Sequence, residues 1–239
     1  ALSSAASDVY KRQVPGGAYY IASPTEAGIV ALDFYHKGYQ TFVLTYTTNL
    51  LGTIPLKDQP MRDLARAVRI VRSRSNEYSI KPDCIATCGF SAGGHLAASL
   101  ATLYSSDKTR PDFQILFYPV ISMQKGVTHG GSRKNLIGEN PSQELEQKYS
   151  LERQVSPRTP QAFIMLSSDD DAVPPINGIG YFLALRDHKV PASLHAYPTG
   201  GHGWGFRDNF TYKRQWTEEL EKWLREGLVF PVSEPTTKK

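Results

Sequence analysis

The sequence predicts an α/β fold, a mostly parallel sheet with helices on both faces. Three observations carry this. Short apolar, β-branched or aromatic runs occur at residues 41–47, 84–88, 113–120, 162–166 and 193–197. Segments with apolar residues at helical spacing separate them, and strands alternating with helices favour parallel pairing with both sheet faces covered. Groups able to do chemistry fall just after strands, at Ser91, at Asp169–Asp171 and at His202, where open α/β sheets carry their sites.

The elements follow in order. The run Pro15-Gly16-Gly17 is a permissive turn after a strand. Ala27, Val30, Ala31, Phe34 and Tyr35 recur at helical spacing, and Gly38 ends that helix. Residues 41–47 form a strand and 48–60 a loop. Residues 61–74 place Leu64, Ala67, Val68 and Val71 on one helical face. A strand over 84–88 leads into a small-residue helix over 91–104, and 113–120 is apolar enough for a central strand. Residues 124–160 are polar and irregular, with a helix near 142–149; a stretch of this length reads as a cap or lid insertion. Strand 162–166, helix 179–188 and strand 193–197 follow. A final amphipathic helix over 212–226 turns Trp216, Leu220, Trp223 and Leu224 inward. This organisation gives one domain over 14–230 and a polar, frayed tail over 231–239, with no internal repeat.

Composition excludes several function classes. The chain has 239 residues, 40% hydrophobic and 21% charged, enough for one sizeable core. Its net charge of +4 comes from scattered basic residues, so no nucleic-acid partner is expected. No run of about 18 apolar residues exists, so no membrane span is expected. Cys84 and Cys88, placed on one strand, lie too far apart to bridge and read as buried thiols. No Cys/His/Asp cluster has zinc-ligand spacing.

Residues 3–13 read as the translation of a common transposase-based sequencing adaptor, which makes residues 1–13 an adaptor-derived scar. On that reading the natural chain starts upstream and its first strands are missing. The scar also replaces most of the strand before the Pro15 turn, and Lys11 and Arg12 suit a buried central strand poorly. Compartment and oligomeric state are left unassigned.

Gly89-Phe90-Ser91-Ala92-Gly93 fits the G-x-S-x-G pattern of a serine on a sharp strand-to-helix turn. The turn strains the backbone at the serine, so its neighbours must be small. The helix that follows points its first N–H groups at a developing oxyanion. His202 stands among Gly200, Gly201, Gly203 and Gly205, which let a loop carry the imidazole to the serine. Asp169, Asp170 and Asp171 supply the acid; side chains alternate along an extended segment, so Asp170 uses one face and its neighbours the other. Asp169 is then free to buttress the loop, and Asp171 to be solvated. His95 opens the helix after Ser91 and is a site-lining candidate, whereas His36, His188 and His195 read as surface or strand-face residues.

Taken together, Pro15–Tyr19, Gly89–Ala97, Asp169-Asp170 with Val173-Pro174, Gly200–Gly203 and His129–Arg133 resemble the α/β-hydrolase esterases grouped with acetyl-xylan and feruloyl esterases. The resemblance spans residues 14 to about 228. It implies the α/β-hydrolase fold, hydrolysis of small acyl esters on sugars, an oligosaccharide or small-molecule ester substrate, and no cofactor. Carried over by position, it implies Ser91 as nucleophile, His202 as base and Asp170, four residues before Pro174, as acid. Gly17 and Ala92 are implied as oxyanion N–H donors. The chain departs from lipase-like relatives in having Pro-Gly-Gly-Ala where they carry His-Gly-Gly-Gly. Tyr19, His129 and Trp204 are candidate sugar-contacting residues. Two alternatives stand beside this reading: a serine peptidase of the prolyl-oligopeptidase type, and a catalytically silent carbohydrate-binding fold.

Overall fold

A strand enclosed on both faces runs almost continuously apolar, and Ile85–Phe90 is buried throughout, Thr87 being its one polar residue. A computed structural model of the chain describes residues 10–52 and 55–229. Among the described residues, six strands form one parallel sheet: β1 (Tyr10–Val14), β2 (Gln40–Val43), β3 (Ile85–Phe90), β4 (Phe113–Phe117), β5 (Gln161–Ser167) and β6 (Ala192–Tyr197). Their order is β2-β1-β3-β4-β5-β6. From β1 the chain first moves outward to β2, then returns across β1 to β3. The reversal falls between β1 and β3, and a crevice opens at the carboxyl ends of strands where the order reverses. The Pro15 turn leaves β1 and Ser91 leaves β3 at that place.

Side-chain alternation sorts the core into two layers. Ala86, Cys88, Phe90, Ile115, Phe117, Phe163 and Met165 meet α1 (Gly28–His36) and α7 (Lys213–Val229) through Val30, Phe34, Trp216, Leu220 and Leu224. On the opposite face Ile85, Leu116 and Ile164 meet α2 (Gln59–Ser73), α3 (Ala92–Leu103) and α6 (Ile176–Asp187). From Ala92 to Ala101 every residue of α3 is buried, which explains its small-residue composition. Two further helices, α4 (Gly130–Ile137) and α5 (Gln143–Tyr149), lie between β4 and β5.

Several expectations need correction. The strand expected over 41–47 stops at Val43, because its partner β1 ends beside it, with Gln13 opposite Val43, before the chain turns at Pro15. The strand expected over 113–120 stops at Phe117: Tyr118 takes a positive φ of 35° and Pro119 follows. Cys84 lies one residue before β3 and is only half-buried; Cys88 is buried as expected. The irregular stretch 124–160 contains α4 as well as the expected helix at α5. As expected of the strand before the Pro15 turn, β1 pairs with β2 on one side and β3 on the other. The expected tail, and most of the expected scar, lie outside the described residues.

Candidate active site

Ser91 sits between β3 and α3 with φ 52° and ψ −120°, a conformation that L side chains rarely adopt. Its neighbours explain how the strain is held. A Cβ on Gly89 would come within 2.2 Å of the Gly93 carbonyl oxygen, and one on Gly93 within 2.0 Å of the Val14 oxygen. Strand, helix and β1 therefore approach as only glycine permits. The Ser91 N–H donates to the Phe117 carbonyl (3.0 Å), while its own carbonyl accepts from Val120 and His95. The backbone is pinned from both sides, and Ser91 remains 7% exposed.

His202 reaches Ser91 from the loop after β6. Its Nε2 lies 2.9 Å from Ser91 Oγ, and its Nδ1 lies 2.6 Å from Asp170 Oδ2. A carboxylate accepts, so Nδ1 carries the proton and Nε2 is left to take one from the serine hydroxyl. The other Asp170 oxygen accepts from the N–H groups of Ala172 (3.0 Å) and Val173 (2.9 Å), which fixes the carboxylate plane. Asp170 is buried, whereas the His202 side chain is 25% exposed at the mouth of the site. Asp169 points elsewhere and accepts from Gly200 and Gly201; those bonds, chiefly the one from Gly201, hold its carboxyl below the usual range. Asp171 is exposed. Gly200 has φ 144°, and a Cβ there would strike Phe210 at 2.6 Å, so this corner of the histidine loop requires glycine.

The Pro15–Gly17 turn abuts the serine, since a Cβ on Gly16 would lie 3.0 Å from Ser91 Cβ. Ala92 is the first residue of α3, so its N–H is among those a helix leaves without an internal acceptor. Gly17 has φ 119°, and a Cβ there would meet the Ile21 carbonyl oxygen at 2.3 Å. Tyr46 donates to the Pro15 carbonyl (2.7 Å), Asn135 of α4 to the Ala18 carbonyl (2.9 Å), and the Asn49 N–H to the Tyr19 carbonyl (2.8 Å).

Two of the three expected sugar-contacting residues are placed differently. Tyr19 is buried, with its hydroxyl 2.8 Å from His95 Nδ1. Trp204 is buried and stacks on Phe210 with centroids 4.1 Å apart. Both work in the core, where a large ring excludes most water. His129 is half-buried and caps α4, its Nδ1 accepting from the Ser132 N–H (3.2 Å). Burial, and then the nearby His202, lower its pKa, while Asp170 raises it, so it shares the field of the site. His95 does not line the site: it is fully buried, and its Nε2 meets the Tyr149 carbonyl (2.8 Å).

Sequence reasoning missed Glu26 and Tyr118. The Tyr118 ring packs 4.8 Å from the His202 ring, and its hydroxyl donates to Glu26 Oε1 (2.8 Å). The signal available was Tyr118-Pro119 at the end of a central strand; nothing local marked Glu26.

A second Ser-His-acid chain tests how much distances alone mean. Ser193 Oγ lies 2.6 Å from His195 Nε2, and His195 Nδ1 lies 2.8 Å from Glu219 Oε2. Ser193, however, is inside β6, paired in register with Phe163, with no strand-to-helix turn beside it. It lacks the helix N-terminus that would stabilise an oxyanion, so of these two clusters the one at Ser91 combines a strand-to-helix turn with such donors.

Among the described residues, no group of three or more His, Cys, Asp or Glu is arranged to hold a metal, and no helix is long and apolar enough to cross a membrane.

Known proteins agree with this architecture. An acetylxylan esterase of Xylanibacter ruminicola is 39% identical over 219 residues, 89% of this chain and 44% of that protein. Endo-1,4-beta-xylanase B of Butyrivibrio fibrisolvens is 38% identical over 200 residues, 80% of this chain and 31% of that protein. The chain thus spans less than half the length of these curated relatives. The crystal structure of an acetyl ester-xyloside bifunctional hydrolase from Caldicellulosiruptor lactoaceticus superposes with a TM-score of 0.86 at 36% identity, covering 96% of this chain and 86% of that one. The family model BD-FAE matches residues 13–180, which include the Pro15 turn, Ser91 and Asp170 but stop short of His202. An α/β-hydrolase sheet, a serine elbow at its reversal point and this match over most of the chain make it a member of the BD-FAE family.

Proposed function

We propose that the chain is a serine esterase that hydrolyses short, acetyl-type esters on carbohydrates such as acetylated xylan or xylo-oligosaccharides. The observation that carries the reading is the continuous chain from Asp170 through His202 to Ser91, with bonds of 2.6 and 2.9 Å. The carbohydrate part is supported by relatives named for acetylxylan and acetyl ester-xyloside hydrolysis.

His202 Nε2 takes the proton as Ser91 Oγ attacks the ester carbonyl. Asp170 keeps the imidazole in the required tautomer and stabilises its cation. The oxyanion is held by the N–H groups of Gly17 and Ala92, each worth roughly 10²–10³ in rate. His202 then protonates the departing sugar oxygen, leaving an acyl group on Ser91. Water, deprotonated by the same nitrogen, attacks that ester and frees acetate. Residues 124–160 act as a cap, a role supported by the bond from Asn135 to the oxyanion turn. His129, at the front of α4, contacts the sugar.

The test is acetate release from acetylated xylo-oligosaccharides, compared with hydrolysis of long-chain aryl esters. The expected result is release from the acetyl substrates, abolished by Ser91→Ala, with little turnover of long chains. His129→Ala is expected to raise KM for the sugar ester more than for a simple aryl acetate. A folded protein that releases no acetate from any acetyl ester overturns the reading.

A further inference from the structure

Glu26 is a buried acid in a short 3-10 turn over Pro24–Glu26, and the mechanism above does not use it. Its two carboxylate oxygens have separate tasks. Oε2 accepts the Gly16 N–H at 2.8 Å, and Oε1 accepts the Tyr118 hydroxyl at 2.8 Å. Gly16 belongs to the turn that carries the Gly17 N–H, and Tyr118 packs on the His202 ring. One carboxylate thereby joins the oxyanion turn to the wall that backs the catalytic base. The contact is tight, because a Cβ on Gly16 would lie 2.6 Å from Glu26 Oε2 and 2.9 Å from the Phe90 carbonyl oxygen. The turn is closed on its far side by the Ser23 N–H, which donates to the Gly16 carbonyl, and by Tyr46 on the Pro15 carbonyl.

Burying an acidic side chain costs solvation, and an apolar residue would fill the space with less of that cost. Its compensation is geometric. An oxyanion donor acts only when preorganised, and a misplacement near 1 Å can cost about 10²-fold in rate. The Pro15–Gly17 turn holds two adjacent glycines, so its backbone has little stiffness of its own.

We propose that Glu26 is a positioning residue for the oxyanion turn: it clamps the Gly16 N–H so that the Gly17 N–H faces the developing oxyanion, and it anchors that clamp on Tyr118. The inference rests on the esterase reading and deepens it. Glutamine preserves the connectivity, since its amide oxygen accepts from Gly16 and its NH₂ donates to the Tyr118 oxygen. Aspartate is one methylene too short to reach both partners, and alanine reaches neither.

The experiment measures kcat and KM for an aryl acetate with the wild type, Glu26→Ala, Glu26→Asp, Glu26→Gln and Ser91→Ala, together with inhibition by an arylboronic acid that forms a tetrahedral adduct on Ser91. Thermal unfolding of each variant verifies folding. Glu26→Ala is expected to lose about 10–100-fold in kcat with KM within about threefold, and to lose boronate affinity in parallel. Glu26→Gln is expected to recover most of kcat, and Glu26→Asp to fall between. A folded Glu26→Ala with wild-type kcat, or one whose loss lies in KM with boronate affinity intact, overturns the proposal. If Glu26→Ala does not fold, the other two variants decide: Glu26→Asp at wild-type kcat, or Glu26→Gln no better than Glu26→Asp, overturns it. Activity retained by Ser91→Ala would instead defeat the esterase reading itself, so the two failures are distinguishable.

Discussion

Asp169 Oδ1 accepts a 2.8 Å hydrogen bond from the N–H of Gly201, tying the loop after β5 to the loop that carries His202. Its neighbour Asp170 spends one oxygen on His202 and the other on its own turn. Adjacent carboxylates thus divide the work: one places the loop and the other places the imidazole.

The division predicts unequal losses. Asp170→Asn should lower kcat by up to ~10⁴-fold, because an amide at that position favours the wrong imidazole tautomer. Asp169→Asn should cost far less, since an amide oxygen still accepts from one glycine N–H, and Asp171→Asn should cost least. Steady-state kinetics on an aryl acetate checks the order; a larger loss at Asp169 than at Asp170 would contradict it.

The elbow glycines make a prediction about folding. Gly93→Ala places a methyl within 2.0 Å of the Val14 oxygen, which backbone movement alone can relieve. It should destabilise by about 3 kcal/mol or more, beyond ordinary overpacking. Gly180→Ala, in α6 with nothing within 4 Å of the added carbon, should stabilise by about 0.5–1 kcal/mol. Urea unfolding midpoints compare the two, and equal effects would show that the close approach at Gly93 carries no energetic weight.

Much of this was legible from the residues. The parallel sheet follows from apolar runs alternating with helical spacing, and the meeting of Ser91, Asp170 and His202 from each lying just past a strand. Strand ends were less legible, because a ladder stops where the partner stops: Leu44–Tyr46 is strand-like in composition but has lost β1 beside it. Helix α4 carries little sequence signal: it opens on Gly130-Gly131, its apolar residues come at the end, and its cap is a histidine where an N-cap is usually Ser, Thr, Asp or Asn. Tyr19 and Trp204, aromatic residues beside the Pro15 turn and the histidine loop, suggest sugar stacking or pocket lining. Sequence distance carries no information about which way a ring turns, and both rings turn inward. Glu26 was invisible for a related reason: its partners Gly16 and Tyr118 are 10 and 92 residues away.

His95 gives a pH-dependent stability. Burial pushes its imidazole from 6.5 down to about 4. The unfolded chain therefore binds a proton that the folded chain refuses between those values. Stability is unaffected by this group above about pH 6.5 and falls as pH drops from there towards 4, with a slope approaching about 1.4 kcal/mol per pH unit. Below about 4 the contribution levels off. Denaturant unfolding from pH 7.5 to 4 should show that slope reduced by about one proton in His95→Gln, whatever that variant's absolute stability. An unchanged slope would show that His95 titrates normally in the folded protein.

The central claim is that Ser91, activated by His202, is the nucleophile. The most direct measurement is covalent labelling with diethyl p-nitrophenyl phosphate, read by intact-protein mass and by peptide mapping. One diethyl phosphate per chain is expected, on the peptide containing Ser91, with none on Ser91→Ala and markedly slower labelling of His202→Ala. A stoichiometric adduct on any other residue, Ser193 included, or full labelling of Ser91→Ala, would contradict the account.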